Sequence, residues 1–434
     1  MSQSTSMPIP AAGNGTRRGA VRILGPWVWT ALLLLALPRL FPSTGALATL
    51  SLMGVAVTFA LAYNMLLGQT GLLSFGHAIY YGLGGFLAAH AILGAAAAGV
   101  RIPLPLMPLA GAFTGLAFGA LFGIACTKRA GTVFAMISLG LVELVTALAL
   151  VMTGFFGGEQ GIAFDRTRIA PFLGHRFGSQ LEVYYLIAAW TFLAAAAMYF
   201  VTRTPFGQLC NAVRENPMRV EFLGYSTRTI RFLALCLSGL FAGLAGALAA
   251  INLEVASGAM LGGQQSGLVL LMTYIGGVGQ FAGPVVGAIL ITLLQVSLSD
   301  ITGAWQLYFG LLFMLVVTFV PGGLSGLIVL HGPLLRAGLL PRLAAPYAKG
   351  AIPLLLTGVG ASLAIELAYR LTIGRATGTA LQIGSWQIDA TAPVPWIVAL
   401  AAFALGVVLL RRFGPAITAR VADLQADALA RLPS

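Results

Sequence analysis

The sequence predicts an all-α fold, a polytopic bundle of membrane-spanning helices, and two observations carry that prediction. Of its 434 residues, 59% are hydrophobic and only 8% are charged, whereas about a quarter are charged in an ordinary soluble domain. Apolar runs also recur along the chain, each close to the roughly 20 residues that cross a hydrocarbon core. A soluble protein of this length could not bury so much apolar surface.

Twelve spans are predicted from these runs, and a polar segment precedes them. Residues 1–22 are rich in Ser, Pro, Gly and Thr, and such a segment buries too little apolar surface to fold. We therefore predict a disordered tail there. The predicted spans are residues 23–40, 45–67, 72–98, 104–126, 132–153, 181–202, 231–252, 265–280, 282–299, 305–320, 350–371 and 393–412.

The charge distribution predicts the topology. The formal net charge is +12, which could indicate a nucleic-acid partner, but the basic residues lie in short loops between the apolar runs. Lys and Arg accumulate on the cytoplasmic side of membrane proteins. If the N-terminal tail is inside, most Lys and Arg fall in inner loops. Both termini are therefore predicted to be cytoplasmic, and no nucleic acid is expected.

The first predicted span has an alternative interpretation. A basic start, a short apolar stretch and the Ala-Leu-Ala sequence at residues 46–48 also fit a cleaved signal peptide. We favour a retained helix, because the apolar run continues through Pro38 without a clear polar cleavage region. The second span runs from outside to inside in either case.

Small residues predict how the helices pack. A glycine recurs at every fourth position of the fourth predicted span, which places the glycines on one face of that helix. Small residues let helix backbones approach closely, and close packing holds helices together in lipid. The glycines of this stripe, and of two pairs with the same spacing, are Gly111, Gly115, Gly119, Gly123, Gly239, Gly243, Gly283 and Gly287.

Sequence motifs for catalysis, nucleotides and metals are lacking. The three Cys are scattered without metal-ligand spacing. Neither Lys128 nor Lys349 lies in a Gly-rich phosphate-binding loop. We expect no cofactor and no enzymatic activity. If ATP drives this protein, another chain hydrolyses it.

The longest charged loop on the predicted inner side runs from Arg203 to Arg231. Pro205 can start a short helix in this loop, and Asn216–Pro217 would stop it. A second short turn would end at Gly224, a residue suited to a left-handed cap. The helix could be only a surface loop or a docking element for a soluble partner, and the residues alone leave both open.

Polar groups interrupt the second and third predicted spans. Ser74 and His77 lie at membrane depth, where polar groups are costly and normally face a bundle interior or an aqueous path. The glycines around them are typical of the broken helices of transporters. We therefore predict a solute path beside Ser74 and His77, with Tyr80 or Tyr81 lining an apolar wall. Alternatively, Ser74 and His77 satisfy each other or a backbone carbonyl.

Five stretches carry a family resemblance that covers roughly residues 45–330. They are GLLSFGHAIYYGLGG (71–85), GGEQGI (157–162), TPFGQLCNAVRENPMRVEFLGY (204–225), LSGLFAGLAGALAA (237–250) and GGVGQFAGPVVGA (276–288). In these stretches the chain resembles the permease subunits of branched-chain amino acid ABC importers, the Leu/Ile/Val type.

The resemblance implies a permease core at residues 23–330, with about ten transmembrane helices in two inverted halves. Residues 331–434 would be a C-terminal extension with two more transmembrane helices. The stretch 204–225 would couple transport to ATP hydrolysis by placing its short helix in a groove of an ATP-binding subunit. The implied coupling residues are Pro205, Phe206, Gly207, Arg214, Glu215, Asn216, Pro217 and Gly224.

The implied assembly contains a second permease subunit, two ATP-binding subunits and an extracytoplasmic solute-binding protein. The implied location is the inner membrane of a bacterium, and the implied solutes are branched-chain or related amino acids. Glu159–Gln160 departs from the small polar residues that the family more often has in this loop. This departure leaves urea or short amides open as an alternative solute class.

Two other functions also stay open. A proton-coupled secondary carrier could use Glu143, Glu254 or Glu366 and would work without partner subunits. An intramembrane enzyme could use His77 with Glu143, the carboxylate predicted to be most buried, if both lie within hydrogen-bond reach in a wet cavity.

Overall fold

The computed structural model describes residues 15–172, 174–320, 322–372, 380–383 and 386–431. The chain divides into two compact units, residues 1–266 and 267–434. The helices of the first unit are α1 (Gly15–Leu40), α2 (Thr44–Thr70), α3 (Ala78–Ala98), α4 (Met107–Cys126), α5 (Thr132–Val151), α6 (Thr153–Phe156), α7 (Gln180–Arg203), α8 (Pro205–Glu215), α9 (Pro217–Phe222) and α10 (Thr227–Leu253).

The next helix, α11 (Gly263–Gly276), begins in the first unit and continues into the second. The remaining helices are α12 (Ala282–Ile301), α13 (Trp305–Phe319), α14 (Gly323–Arg336), α15 (Ala344–Thr372) and α16 (Pro393–Arg431). Two short antiparallel strand pairs accompany them, β1 (Ile162–Ala163) with β2 (Val255–Ala256) and β3 (Ala380–Ile383) with β4 (Trp386–Asp389).

The predicted all-α membrane bundle is confirmed. Among the described residues, nine helices are long and apolar enough to cross a membrane, namely α2, α3, α4, α5, α7, α10, α12, α15 and α16. A tenth span results if α13 and α14, which are bent by 40° at a short break, cross together. The arrangement in two inverted halves stays a prediction.

Two predicted boundaries near the N-terminus are wrong. The helix α1 begins at Gly15, so residues 15–22 are helical rather than disordered, because Arg and Ala favour helix. Residues 1–14 of the predicted tail lie outside the described residues. The third span was predicted from residue 72, but α3 begins only at Ala78. The chain from Gly71 to this point is not helical, since Gly71 adopts a left-handed conformation, with φ of 71°, that ends α2.

Two expectations for the C-terminal half also need correction. The span predicted at residues 265–280 is α11, whose 14 residues extend about 21 Å, less than the hydrocarbon thickness. The predicted boundary between core and extension at residue 330 falls inside α14.

The glycine stripe packs α4 against α10 in the first unit. A Cβ placed on Gly115 would touch the carbonyl oxygen of Gly239 and would lie 3.0 Å from the Cα of Gly243. A Cβ on Gly111 would touch the carbonyl oxygen of Gly243, at 2.6 Å. The two backbones are therefore closer than any side chain allows, as the spacing predicts.

Glycines also bring helices into close contact in the second unit. A Cβ on Gly283 would lie 2.9 Å from the carbonyl oxygen of Gly276, which brings α11 and α12 together. In the C-terminal hairpin, a Cβ on Gly360 would lie 2.7 Å from the carbonyl oxygen of Ala399, so α15 and α16 are equally close. Tyr308 of α13 donates a hydrogen bond to Glu366 of α15 at 3.0 Å, which attaches the hairpin to the rest of the unit.

We expect Gly115→Leu to destabilise the protein by about 1–3 kcal/mol, because the new side chain forces α4 and α10 apart. Gly94→Leu is the matched control, since a Cβ at Gly94 of α3 meets open space and both substitutions bring the same gain in helix propensity. Thermal melting in detergent compares the two variants. Equal melting temperatures would contradict close α4–α10 packing.

Candidate functional site

The loop between α7 and α10, which is predicted to be cytoplasmic, folds as two short capped helices. The Thr204 side chain accepts a hydrogen bond from the backbone N–H of Gly207, at 3.4 Å, and Pro205 occupies the first turn of α8. Asn216 ends α8 and caps α9, its side chain accepting from the Arg219 N–H at 3.1 Å. Gly224 follows with φ of 85°. The predicted helix, stop and left-handed cap are confirmed.

Gly207 fixes the turn from α7 into α8. A Cβ at this position would lie 2.7 Å from the Cα of Thr202 and would touch its carbonyl oxygen. Any side chain would therefore push the two helices apart. The glycine sets the direction in which α8 leaves the membrane helix.

One face of α8 is buried against α9 and α10. Cys210 and Val213 form a cluster with Val220, Ile230 and Ala234. Burial raises the pKa of Cys210 to about 12, so the thiol packs as a neutral apolar group. The two short helices are thus joined to the N-terminal end of α10.

Arg214 is exposed, but its side chain is anchored to α2 instead of extending freely into solvent. Its guanidinium Nη1 donates a hydrogen bond to the carbonyl oxygen of Gly68 in the last turn of α2. Its aliphatic stem covers Gly71, whose Cβ position lies 3.0 Å from the Arg214 Cγ. A cation at a helix C-terminus is favourable. Arg214 therefore links α8 to the end of α2.

The non-helical stretch 71–77 is held by side chains from neighbouring helices. Tyr63 donates to the carbonyl oxygen of Ser74 at 2.9 Å, and the Phe75 N–H donates to Ser138 at 3.0 Å. The N–H of Ala78 at the start of α3 donates to Ser266 at 3.0 Å. Irregular backbone at membrane depth requires such partners.

His77 is fully buried and joins three helices. Its Nε2 lies 3.1 Å from Ser238 Oγ of α10, and this hydroxyl donates to the carbonyl oxygen of Ala62 in α2 at 2.5 Å. Because the Ser238 hydroxyl already donates its hydrogen to Ala62, it accepts from His77, and the His77 Nε2–H is the donor of this second hydrogen bond. The Nδ1 atom has no hydrogen-bond partner among the described residues. The ring packs edge-on against Tyr63, 5.1 Å between centroids.

The predicted path residues therefore lie in a packed core. Ser74, His77, Tyr80 and Tyr81 are all buried in the first unit. The partner of His77 is Ser238, neither Ser74 nor a backbone carbonyl as the alternative interpretation expected. The role of this stretch as a solute path stays a prediction.

An ion pair organises the loop between α6 and α7. Arg166 is buried and donates to the carbonyl oxygens of Phe177, at 2.9 Å, and Ile251, at 3.1 Å. Its Nε lies 3.6 Å from Glu254 Oε1, and its backbone N–H donates to the same oxygen at 3.2 Å. Glu254 itself adopts φ of 55° at the end of α10. The pair caps α10 and fixes the loop on it.

The three carboxylates proposed for a proton relay have different surroundings. Glu254 pairs with Arg166 outside the spans, and Glu366 accepts from Tyr308. Glu143 of α5 is exposed on the surface of the chain rather than buried as predicted, because the buried face of α5 carries Ser138, Val142 and Val145. Among the described residues, no group of three or more His, Cys, Asp or Glu could hold a metal ion.

Residues 45–321 match the family described as the permease component of the branched-chain amino acid transport system. The matched segment is more than half of the chain. The chain belongs to this family. It is therefore a transmembrane permease of an ABC importer, as the resemblance implied.

Relatives of this permease include two from branched-chain amino acid systems. It is 28% identical to the high-affinity branched-chain amino acid transport system permease protein LivM of Escherichia coli. The alignment spans 317 residues and covers 68% of this chain and 73% of that protein. It is 25% identical to the corresponding protein BraD of Pseudomonas aeruginosa, over 62% of this chain and 90% of that protein.

A third relative serves a different solute. The guanosine ABC transporter permease protein NupQ of Bacillus subtilis is 29% identical over 154 residues, 32% of this permease and 47% of that protein. No solved structure matches the chain.

The sequence prediction missed a cluster of exposed apolar side chains on the loop between α7 and α10. Met218 and Phe222 lie one turn apart on α9, and Leu223 and Tyr225 follow; all four are exposed, Phe222 by 84%. We call these four residues the coupling patch. The spacing of Met218 and Phe222 at i and i+4 indicates that both lie on one face of the helix. The spacing alone does not tell whether that face is exposed or buried.

The contact between His77 and Ser238 predicts energetic coupling. We expect His77→Ala and Ser238→Ala each to lower the melting temperature, with a coupling of about 0.6 kcal/mol, up to about 1.7, in the double variant. Uptake is measured in the same preparation. Strong loss of uptake by His77→Ala with an unchanged melting temperature would contradict the structural role and favour the path.

Arg166 and Arg168 offer a matched pair in the outer loop. Arg166→Gln should destabilise this loop by about 1–3 kcal/mol, because Glu254 and the backbone carbonyls of Phe177, Ile251 and Asn252 lose a buried donor. Arg168→Gln should change little, since its side chain is exposed and its ion-pair partner among the described residues is the exposed Asp165, at 3.6 Å. Limited proteolysis and thermal melting measure both effects. Equal protease sensitivity of the two variants would contradict the bracing role of Arg166.

Proposed function

We propose that this permease imports branched-chain amino acids across the inner membrane of a bacterium. Two separate ATP-binding subunits would hydrolyse the ATP, and a second permease subunit would complete the membrane part. An extracytoplasmic solute-binding protein would deliver the amino acid, and both termini would be cytoplasmic. The names of the relatives in E. coli and P. aeruginosa support this solute class.

The coupling patch is the observation that carries the proposal. Four large apolar side chains lie exposed on a loop that also carries the exposed charges of Arg219 and Glu221, so the loop does not belong in lipid. A clustered apolar patch in water marks a surface that a protein partner covers. Aromatic anchors such as Phe222 are enriched at the centre of such interfaces.

The contacts behind the coupling patch suit the transmission of force. Val220 of α9 packs in the cluster that holds α8 to the inner end of α10. Arg214 connects α8 to the end of α2. A displacement of the patch by an ATP-binding subunit would therefore move α2 and α10 together. These are the helices that hold His77.

The solute is the finer part of the proposal. Ser74, Tyr80 and Tyr81 are buried in the packed core, so they would line a path for a zwitterion with an apolar side chain only in a conformation in which the bundle opens. Competition for leucine uptake tests the solute class in vesicles that contain the full complex and its binding protein. Competition by isoleucine and valine is expected. Competition only by guanosine or by urea would point to those solutes instead, and uptake driven by a proton gradient without the ATP-binding subunits would overturn the ABC mechanism for this chain.

We expect Phe222→Ala to release the ATP-binding subunits. Loss of a central aromatic anchor costs about 2 kcal/mol or more, roughly a thirtyfold weaker interaction. The measurement is the amount of ATP-binding subunit that copurifies with the tagged permease, together with uptake. Phe113→Ala is the matched control, because Phe113 is 65% exposed but lies on the apolar span α4. Equal copurification of both variants would contradict docking at the coupling patch.

A further inference from the structure

Glu143 lies near the middle of an apolar span and is exposed on the surface of the chain. α5 runs from Thr132 to Val151, so Glu143 is about 16 Å from its start and about 12 Å from its end, at 1.5 Å per residue. These distances place the carboxylate close to the centre of the hydrocarbon core, which is about 30 Å thick.

Lipid is an energetically unfavourable environment for this side chain. Acidic residues at the centre of a bilayer are costly, rare, and almost always face a bundle interior or a water-filled cavity. The first unit does not bury Glu143, because Ser138, Val142 and Val145 occupy the buried face of α5. Glu143 must therefore face either an aqueous path or another subunit.

The start of a second helix lies beside Glu143, and the space around the carboxylate is open. Its Oε1 lies 3.5 Å from the Cβ position of Gly263, the first residue of α11, and the first N–H groups of a helix have no partner within that helix. Gln264, the next residue, is also exposed. One turn before Glu143, a Cβ on Gly140 would meet open space. A carboxylate and the start of a helix thus meet close to mid-membrane depth, and the residue that follows in that helix carries an exposed carboxamide.

We infer that Glu143 lines the aqueous solute path and that its carboxylate binds the ammonium group of the transported amino acid. The inference rests on the proposed function. The neighbours of Glu143 on the same face of α5, Met136 and Ala147, are uncharged and exposed, so they offer apolar surface to an aliphatic side chain. A single carboxylate beside apolar surface complements a solute with one ammonium group and a hydrocarbon side chain.

Cysteine labelling in the full complex tests whether Glu143 faces water. The three native cysteines, Cys126, Cys210 and Cys236, are buried. Glu143→Cys should react about tenfold faster than Leu148→Cys with a charged, membrane-impermeant methanethiosulfonate, because the reactive thiolate forms in water and not in hydrocarbon. Leu148 is exposed but points about 140° away around the helix. Equal, slow labelling of both positions would overturn the inference.

Charge removal tests the role of the carboxylate. Glu143→Gln should lower leucine uptake about tenfold or more, because a hydrogen bond between charged groups is lost, while Glu143→Asp retains part of it. High leucine should slow the labelling of Glu143→Cys. If Glu143→Gln instead prevents association with the second permease subunit, Glu143 is an interface residue and the inference is wrong. Absence of leucine uptake by the unmodified complex would refute the proposed function, whereas labelling would still report on the position of Glu143.

Discussion

Close contact between backbones is the constraint on which the first unit depends. Lipid tails are as apolar as the helices, so no hydrophobic force drives the helices together, and packing must supply the attraction. The glycines of α4 and α10 meet this requirement by placing backbone against backbone. Each functional feature of the unit is then attached to α10: the cluster with α8 at its N-terminal end, Ser238 in its interior, and the Arg166 contacts at its C-terminal end.

A continuous series of contacts leads from the inner loop into the membrane. The loop helices reach α2 through Arg214, α2 ends at Gly71, and the stretch that follows ends at His77. His77 contacts Ser238 of α10, and Ser238 in turn donates a hydrogen bond to α2. The same fold that closes the core therefore joins the coupling patch to the centre of the bundle. These contacts are directional hydrogen bonds and close packing rather than a flexible linker, and contiguous networks of this kind are the ones that can carry energetic coupling between distant sites.

The sequence predicted the features that depend on local chemistry. Apolar run length predicts spans, and proline, asparagine and glycine predict the start, break and cap of α8 and α9, because each acts on its own backbone. Features that depend on distant residues were not predictable. The pairing of His77 with Ser238 joins positions far apart in sequence, and the exposure of Glu143 depends on which face of α5 meets its neighbours. Phe222 looked like any apolar residue of an amphipathic helix until the fold showed that nothing in the first unit covers it.

The dependence of α4 on α10 has a consequence for the synthesis of the protein. α4 is complete at Cys126, and α3 approaches its glycine-lined face only at Gly111, so the rest of that face has no partner until α10 ends at Leu253. At about 5–20 residues per second, the ribosome needs roughly 6–25 s to make the intervening chain. During that interval most of the stripe faces lipid, the insertion machinery or a chaperone. Biogenesis of this bundle is therefore most vulnerable between the fourth and the tenth helix, long before the C-terminal hairpin is made.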